Sequence, residues 1–152
     1  MTIETLKDVL HWTTNFHQKL SDCLTHSTDN NENERAKMLL VYLAEHEREL
    51  ANVVAQFEKN GNTHALNTWC YEFIDKHPLT QHQLDDAIFA KLDATEIMAR
   101  VVDQHQQVIE LYRYLFTRAD IPSARALLEN LKSLEEHEAM QMSQGANRLS
   151  DL

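Results

Sequence analysis

The sequence predicts an all-α fold whose core is carried by four long helices. The 152 residues include only 2 Gly and 2 Pro, too few chain breakers for the turns of a β-sandwich, a barrel or an α/β sheet. Apolar residues recur at alternating steps of three and four through four long stretches, the spacing of one buried helix face. The length suits one domain over 1–152 with a full core, without disulfides to staple it.

The first helix is expected at about 3–27, with Leu6, Leu10, Thr13, Phe16 or His17, Leu20 and Leu24 facing inward. Residues 27–34, STDNNENE, favour turns and caps, so the chain should reverse there. A second helix, about 33–59, carries Leu40, Leu43, Glu47, Leu50, Val54 and Phe57, and Asn60-Gly61 is expected to close it in a left-handed turn. The crossover 61–93 is irregular, with a short helix expected near 66–74, a break at Lys76-His77-Pro78 and another short helix from Leu79 or Thr80. The third long helix, about 94–118, lines up Met98, Val101, His105, Val108, Tyr112 and Leu115. Pro122 suits the first turn of the fourth, about 122–149, with Leu127, Leu131, Leu134, Glu138, Met142 and Leu149 inward. Short loops make each hairpin antiparallel, while the long crossover can travel back along a helix of about 40 Å.

Charge and cysteine usage narrow the function classes. A net charge of −10 beside nine His gives no footing for a phosphate backbone, so nucleic acid is not an expected partner. No apolar run approaches the ~18 residues of a membrane span, and MTIETLKDVLHW lacks the basic and apolar regions of a signal peptide, so a cytoplasmic protein is expected. Cys23 and Cys70 stand alone, without a metal-ligand spacing, and read as small core residues. The aromatic residues fall mostly at core or crossover spacing, and Trp69, Tyr71 and Phe73 suit either a cover for the helices or a partner surface. His11, His64, His77 and His82 read as exposed or locally bonded.

Each long helix has a polar residue near the middle of its apolar stripe: Thr13, Glu47, His105 and Glu138. Thr13 and Glu47 are equidistant from Asn30, and His105 and Glu138 from the Ile121–Pro122 junction, so each pair should share one level of its hairpin. A buried carboxylate without a partner costs several kcal/mol, so the groups must share protons, pair with one another, or hold a cation. One iron, manganese or zinc ion on Glu47, His105 and Glu138 is one solution, and a metal-free Glu47–His105–Glu138 triad is another.

The segment Ala44-Glu45-His46-Glu47-Arg48-Glu49-Leu50 resembles the second-helix motif of the rubrerythrin-type ferritin-like superfamily, where Glu-x-x-His supplies di-iron ligands. Leu134-Glu135-Glu136-His137-Glu138-Ala139-Met140-Gln141 is similar to the fourth-helix copy. His105 followed by Tyr112 resembles the family's run of a ligand Glu seven residues before Tyr. The resemblance covers the four helices and implies a ferritin-like four-helix bundle with a long crossover between the second and third helices. It preserves the family ligands at Glu47 and Glu138 only. Leu50 and Gln141 stand where the family has His, Thr13 near its first-helix Glu, and His105 in place of a third-helix Glu. A full di-iron oxidoreductase is therefore not implied, because too few carboxylates remain to hold two divalent ions.

A second register rotates the second and fourth helices by about 100° and turns His46 and His137 inward, with His17 as a third ligand. A hemerythrin-like site is excluded, since neither HxxxE nor HxxxH occurs at His46 or His137. Tyr112 could hydrogen-bond a site carboxylate. No nucleophile motif or phosphate loop supports a defined enzyme activity. Two functions are expected to compete: a bundle with a reduced metal site, and a metal-free, non-catalytic scaffold acting as a homodimer.

Overall fold

The computed structural model describes residues 3–70 and 89–150, the side chain of residue 150 excepted. The fold is all-α. Its elements are α1 (Leu6–Asn30), α2 (Glu34–Asn60), the single-turn α3 (Thr63–Leu66), α4 (Ala94–Arg118) and α5 (Pro122–Ser150). Among the described residues the only β pairing is an isolated bridge between Thr5 and Trp69.

Side-chain caps set the helix starts. Thr5 and Asp8 form a capping box on α1, and Asp93 and Glu96 form a second on α4, each satisfying backbone N–H groups that a first turn leaves unpaired. Asn33 caps α2 and Asn62 caps α3. Pro122 occupies the first turn of α5, as the sequence suggests.

Three boundaries differ from expectation. α1 continues to Asn30 rather than ending near 27, because the Ser27 and Thr28 hydroxyls donate back to the carbonyls of Cys23 and Leu24 and stay compatible with helix. α2 ends at Asn60, but Gly61 has φ −69° and ψ 163°, extended rather than left-handed. Glycine is needed there for space, since a Cβ would meet the Phe57 carbonyl oxygen at 2.5 Å. Of the short helix expected at 66–74, residues 67–70 are not helical and the single turn lies earlier, at Thr63–Leu66, ending as Asn67 bonds back to Thr63, while 71–74 lie outside the described residues. The expected break at Lys76–Pro78, the helix after it, and Tyr71, Phe73, His77 and His82 lie outside the described residues.

The helices pack in two hairpins. α1 lies along α2 and α4 along α5, and α2 also meets both α4 and α5. Leu6 donates to the Thr68 carbonyl and Cys70 to that of Glu4, which ties the chain after α3 to the start of α1. At the opposite end, the buried Asn31 amide between α1 and α2 donates to the carbonyls of Phe89 and Leu92, just ahead of α4. Residue 70 thus lies beside the start of α1 and residue 89 beside its end, so α4 begins where α2 begins and runs parallel to it. Contacts of Tyr42 with Gln141 and of His46 with Glu138 show that α5 runs antiparallel to α2.

Leu10, Leu20, Leu24, Leu40, Leu43, Val101, Val108, Leu128, Leu131 and Met142 fill the space between the helices, joined by both cysteines, which are buried and not disulfide-bonded. No helix among the described residues is long and apolar enough to cross a membrane.

Candidate functional site

At mid-height the apolar core gives way to one polar layer. His17 of α1, Glu47 of α2, His105 of α4 and Glu135 of α5 meet there with no exposed surface. His17 Nδ1 lies 2.7 Å from Glu47 Oε2, and its Nε2 lies 2.6 Å from Glu135 Oε1. His105 Nδ1 lies 3.0 Å from Glu135 Oε2, and its Nε2 closes the ring on Glu47 Oε1. Each imidazole therefore bridges both carboxylates, and each carboxylate uses both oxygens.

The ring matches donors to acceptors completely when both histidines are imidazolium: four N–H groups face four carboxylate oxygens. Burial is the largest single influence on each group and favours its neutral form. The opposite charges and the hydrogen bonds together outweigh it. His17 is raised to about 9 and His105 to about 10, while Glu47 is lowered to about 2 and Glu135 is also lowered. Two positive and two negative groups then cancel in a fully buried layer.

Two buried oxygens make no hydrogen bond of good geometry among the described residues: Gln104 Oε1, on the residue before His105, and the Tyr112 hydroxyl, which has the Thr13 hydroxyl within reach. Tyr112 is fully buried. Burial pushes its hydroxyl well above the usual tyrosine range, the Glu135 charge adds to that, and the Thr13 hydroxyl beside it works in the opposite direction.

Glu47 and His105 stand at the centre, where the sequence put them, but the other expected members do not. Glu138 is displaced by Glu135. It lies on the α2–α5 seam, half-buried, with an oxygen 3.5 Å from His46 Nδ1. The reason is the phase of α5, whose inward face runs Ala124, Leu128, Leu131, Glu135, Met142, leaving Leu134 half-buried. Thr13 is buried beside Tyr112, one turn from the ring, with its hydroxyl donated to the Val9 carbonyl. His17 takes the place on α1 that the alternative register gave it, without rotation of α2 or α5. The His46 ring meets that of Tyr42 at a tilt of 53° with centroids 4.5 Å apart, and His137 is exposed, so neither joins His17.

Two sequence signals lead to the true ring. The α1–α2 and α4–α5 loops are centred on Glu32 and Asp120, and these residues lie midway between His17 and Glu47 and between His105 and Glu135. The second signal is an internal repeat at a constant offset of 88 residues without gaps. It pairs His17 with His105 and Glu47 with Glu135. It also pairs Thr5 with Asp93, Asp8 with Glu96, Ala36 with Ala124, Leu40 with Leu128 and Leu43 with Leu131. Both capping boxes and both ring pairs fall in register, so the two hairpins are versions of one pattern. The likeness between the triplets around His46 and His137 belongs to a different offset and misplaces the site by three residues.

The ring also has ligand chemistry. One donor atom each from His17, His105 and Glu135 lie within 4.8 Å of one another, so they could hold a metal ion. Imidazole nitrogens with carboxylate oxygens suit zinc, iron or manganese. Comparison of the chain with protein-family models, curated proteins and solved structures gives no match.

Proposed function

We propose that the chain is a ferritin-like four-helix bundle that binds one divalent metal ion in its central layer, through His17, His105, Glu135 and Glu47. The observation that carries this reading is the composition of the ring: two imidazoles and two carboxylates, one from each long helix, all fully buried. Bundle metal sites are built this way from facing helices. Charge favours one dication over two. Replacing the two extra imidazolium protons by one divalent ion leaves the buried charge at zero, whereas a second ion would leave two positive charges uncompensated. The parallel course of α2 and α4, both starting beside Asn31, and the rubrerythrin-like run around Glu47 support the ferritin-like assignment. With Glu135 in place of Glu138, the site departs further from that family's ligand set, and no oxidoreductase activity is proposed.

A dry core could dispense with four ionisable groups, since apolar replacements of a buried ion network are often neutral or stabilising. Metal content separates binding from a purely structural role. Untagged protein purified without chelator is expected to hold about one zinc, iron or manganese per chain by plasma mass spectrometry. Glu47→Gln/Glu135→Gln should lose the ion, while Glu138→Ala should keep it. A metal-free wild type that takes up none of the three ions on addition overturns the reading.

The complete match of four N–H donors to four oxygens favours a second reading, a metal-free scaffold held in register by the ring. Its expected partner is a second copy of the chain, seated on the exposed Met38, Val41 and Val53 of α2, and sedimentation of Val41→Glu against wild type tests that association.

A further inference from the structure

The ring holds two arcs of the same chemistry. On one, His17 Nε2 and His105 Nδ1 face the two oxygens of Glu135, at 2.6 and 3.0 Å. On the other, His17 Nδ1 and His105 Nε2 face the two oxygens of Glu47, the first at 2.7 Å. The 88-residue repeat exchanges the arcs, since it pairs His17 with His105 and Glu47 with Glu135. An imidazole nitrogen that binds an ion gives up its proton. An ion that takes one nitrogen of each ring beside one carboxylate therefore leaves the other two nitrogens, still protonated, on the second carboxylate.

Two observations select the Glu135 arc for the ion. The donor atoms close enough together to share one, all within 4.8 Å, come from His17, His105 and Glu135, and Glu47 does not belong to that set. The repeat is also imperfect beside the ring. The Tyr112 hydroxyl lies within electrostatic reach of Glu135, whereas the repeat counterpart of Tyr112 is Leu24, buried and apolar. A buried charge is less costly in the more polar surroundings.

We infer that the four residues divide: His17 Nε2, His105 Nδ1 and Glu135 hold the ion, and Glu47 is a positioning residue that grips both imidazoles by their remaining N–H groups. The inference rests on the proposed ion and assigns its ligands. The protons that leave are those facing Glu135, one from His17 Nε2 and one from His105 Nδ1. They pass to solvent as the dication enters, so the layer stays neutral. Glu135 must draw back slightly, because bonds of about 2.0–2.2 Å to a shared ion hold the donors further apart than a hydrogen bond does. Two imidazoles and one carboxylate form the ligand set of mononuclear zinc and iron sites. A carboxylate behind a ligand histidine fixes which nitrogen the ring presents, and Glu47 does this for two rings at once.

Zinc-loaded, isotope-labelled wild type tests the assignment by NMR, since long-range proton–nitrogen correlation tells the metal-bound nitrogen of each ring from the protonated one. His17 is expected to bind zinc through Nε2 and keep its proton on Nδ1, and His105 to bind through Nδ1 and keep its proton on Nε2. The reverse at both rings would make Glu47 the ligand and overturns the inference, as does a mixed pattern. Glu47→Gln is expected to retain zinc with the same ring pattern at about 10–100-fold lower affinity, while Glu135→Gln loses it. Loss of zinc from a folded Glu47→Gln overturns the inference as well. A wild type that takes up no zinc fails earlier, at the metal reading itself, and the assignment falls with it.

Discussion

His17 and His105 face each other across the core with ring centroids 5.2 Å apart, and each bridges the same two carboxylates. Neither imidazole can be removed without leaving both Glu47 and Glu135 short of a donor. The ring is therefore a unit, and its members should behave non-additively.

Glu47→Ala leaves two buried imidazolium groups facing one carboxylate and is expected to cost about 3–5 kcal/mol. Replacing all four members by Leu removes the charges together, and the quadruple variant is expected to remain folded at wild-type stability or up to about 4 kcal/mol above it, without metal. Urea unfolding of both variants checks the contrast. A quadruple variant weaker than Glu47→Ala would show that the ring itself holds the fold.

Stability of the metal-free protein should follow the ring through pH. Glu47 has a folded value near 2, below its ordinary value, so its contribution is present above about 4.5 and is lost as pH falls toward 2. His17 and His105 have folded values raised to about 9 and 10, so theirs is complete below about 6.5 and is lost as pH rises through 9–10. The ring predicts a plateau between about pH 4.5 and 6.5 with a fall on either side. Thermal unfolding across pH measures it, and NMR should find both imidazoles still doubly protonated at pH 7.

Metal uptake must release the protons that the ion replaces. Two protons per ion are expected at pH 7, with affinity rising up to about a hundredfold per pH unit where both imidazoles start protonated. Calorimetry in two buffers of different ionisation enthalpy counts the protons. A pH-independent affinity would mean that the ion binds away from His17 and His105.

Tyr42 rests on Gly145, where a Cβ would lie 2.0 Å from the tyrosine hydroxyl. Gly145→Ala must displace that side chain and its bond to the Gln141 carbonyl, offsetting the ~1 kcal/mol that alanine brings to a helix interior. In a Tyr42→Ala background the same change should become stabilising by about 1 kcal/mol, and a double-mutant cycle in urea reads the coupling.

The helical class and most helix limits were legible because scarce Gly and Pro and a 3–4 apolar rhythm are local properties. Glu47 and His105 were legible for the same reason, each being the one carboxylate or imidazole in a strong apolar stripe. Glu135 was not, because Leu134 and Leu131 also make a plausible stripe with Glu138, and only the packing of α5 on α2 selects the phase. His17 competed with Thr13, and the choice depended on a loop centre that moved from Asn30 to Glu32 once Ser27 and Thr28 remained helical. A two-residue error in the loop centre becomes a four-residue error in the residue that faces Glu47.

The bonds of the ring also differ in how far along the chain they reach. Those from His17 to Glu47 and from His105 to Glu135 join groups 30 residues apart, within one hairpin. The other two span 58 and 118 residues and exist only after the hairpins meet. Loop closure makes near contacts quick and distant ones slow. Each nascent hairpin thus brings a preformed His–Glu couple to the encounter, and a hairpin docked one helical turn out of register would face leucine with charge. Kinetically, the polar layer is a proofreading step at the end of folding, rejecting packings that a purely apolar seam would accept.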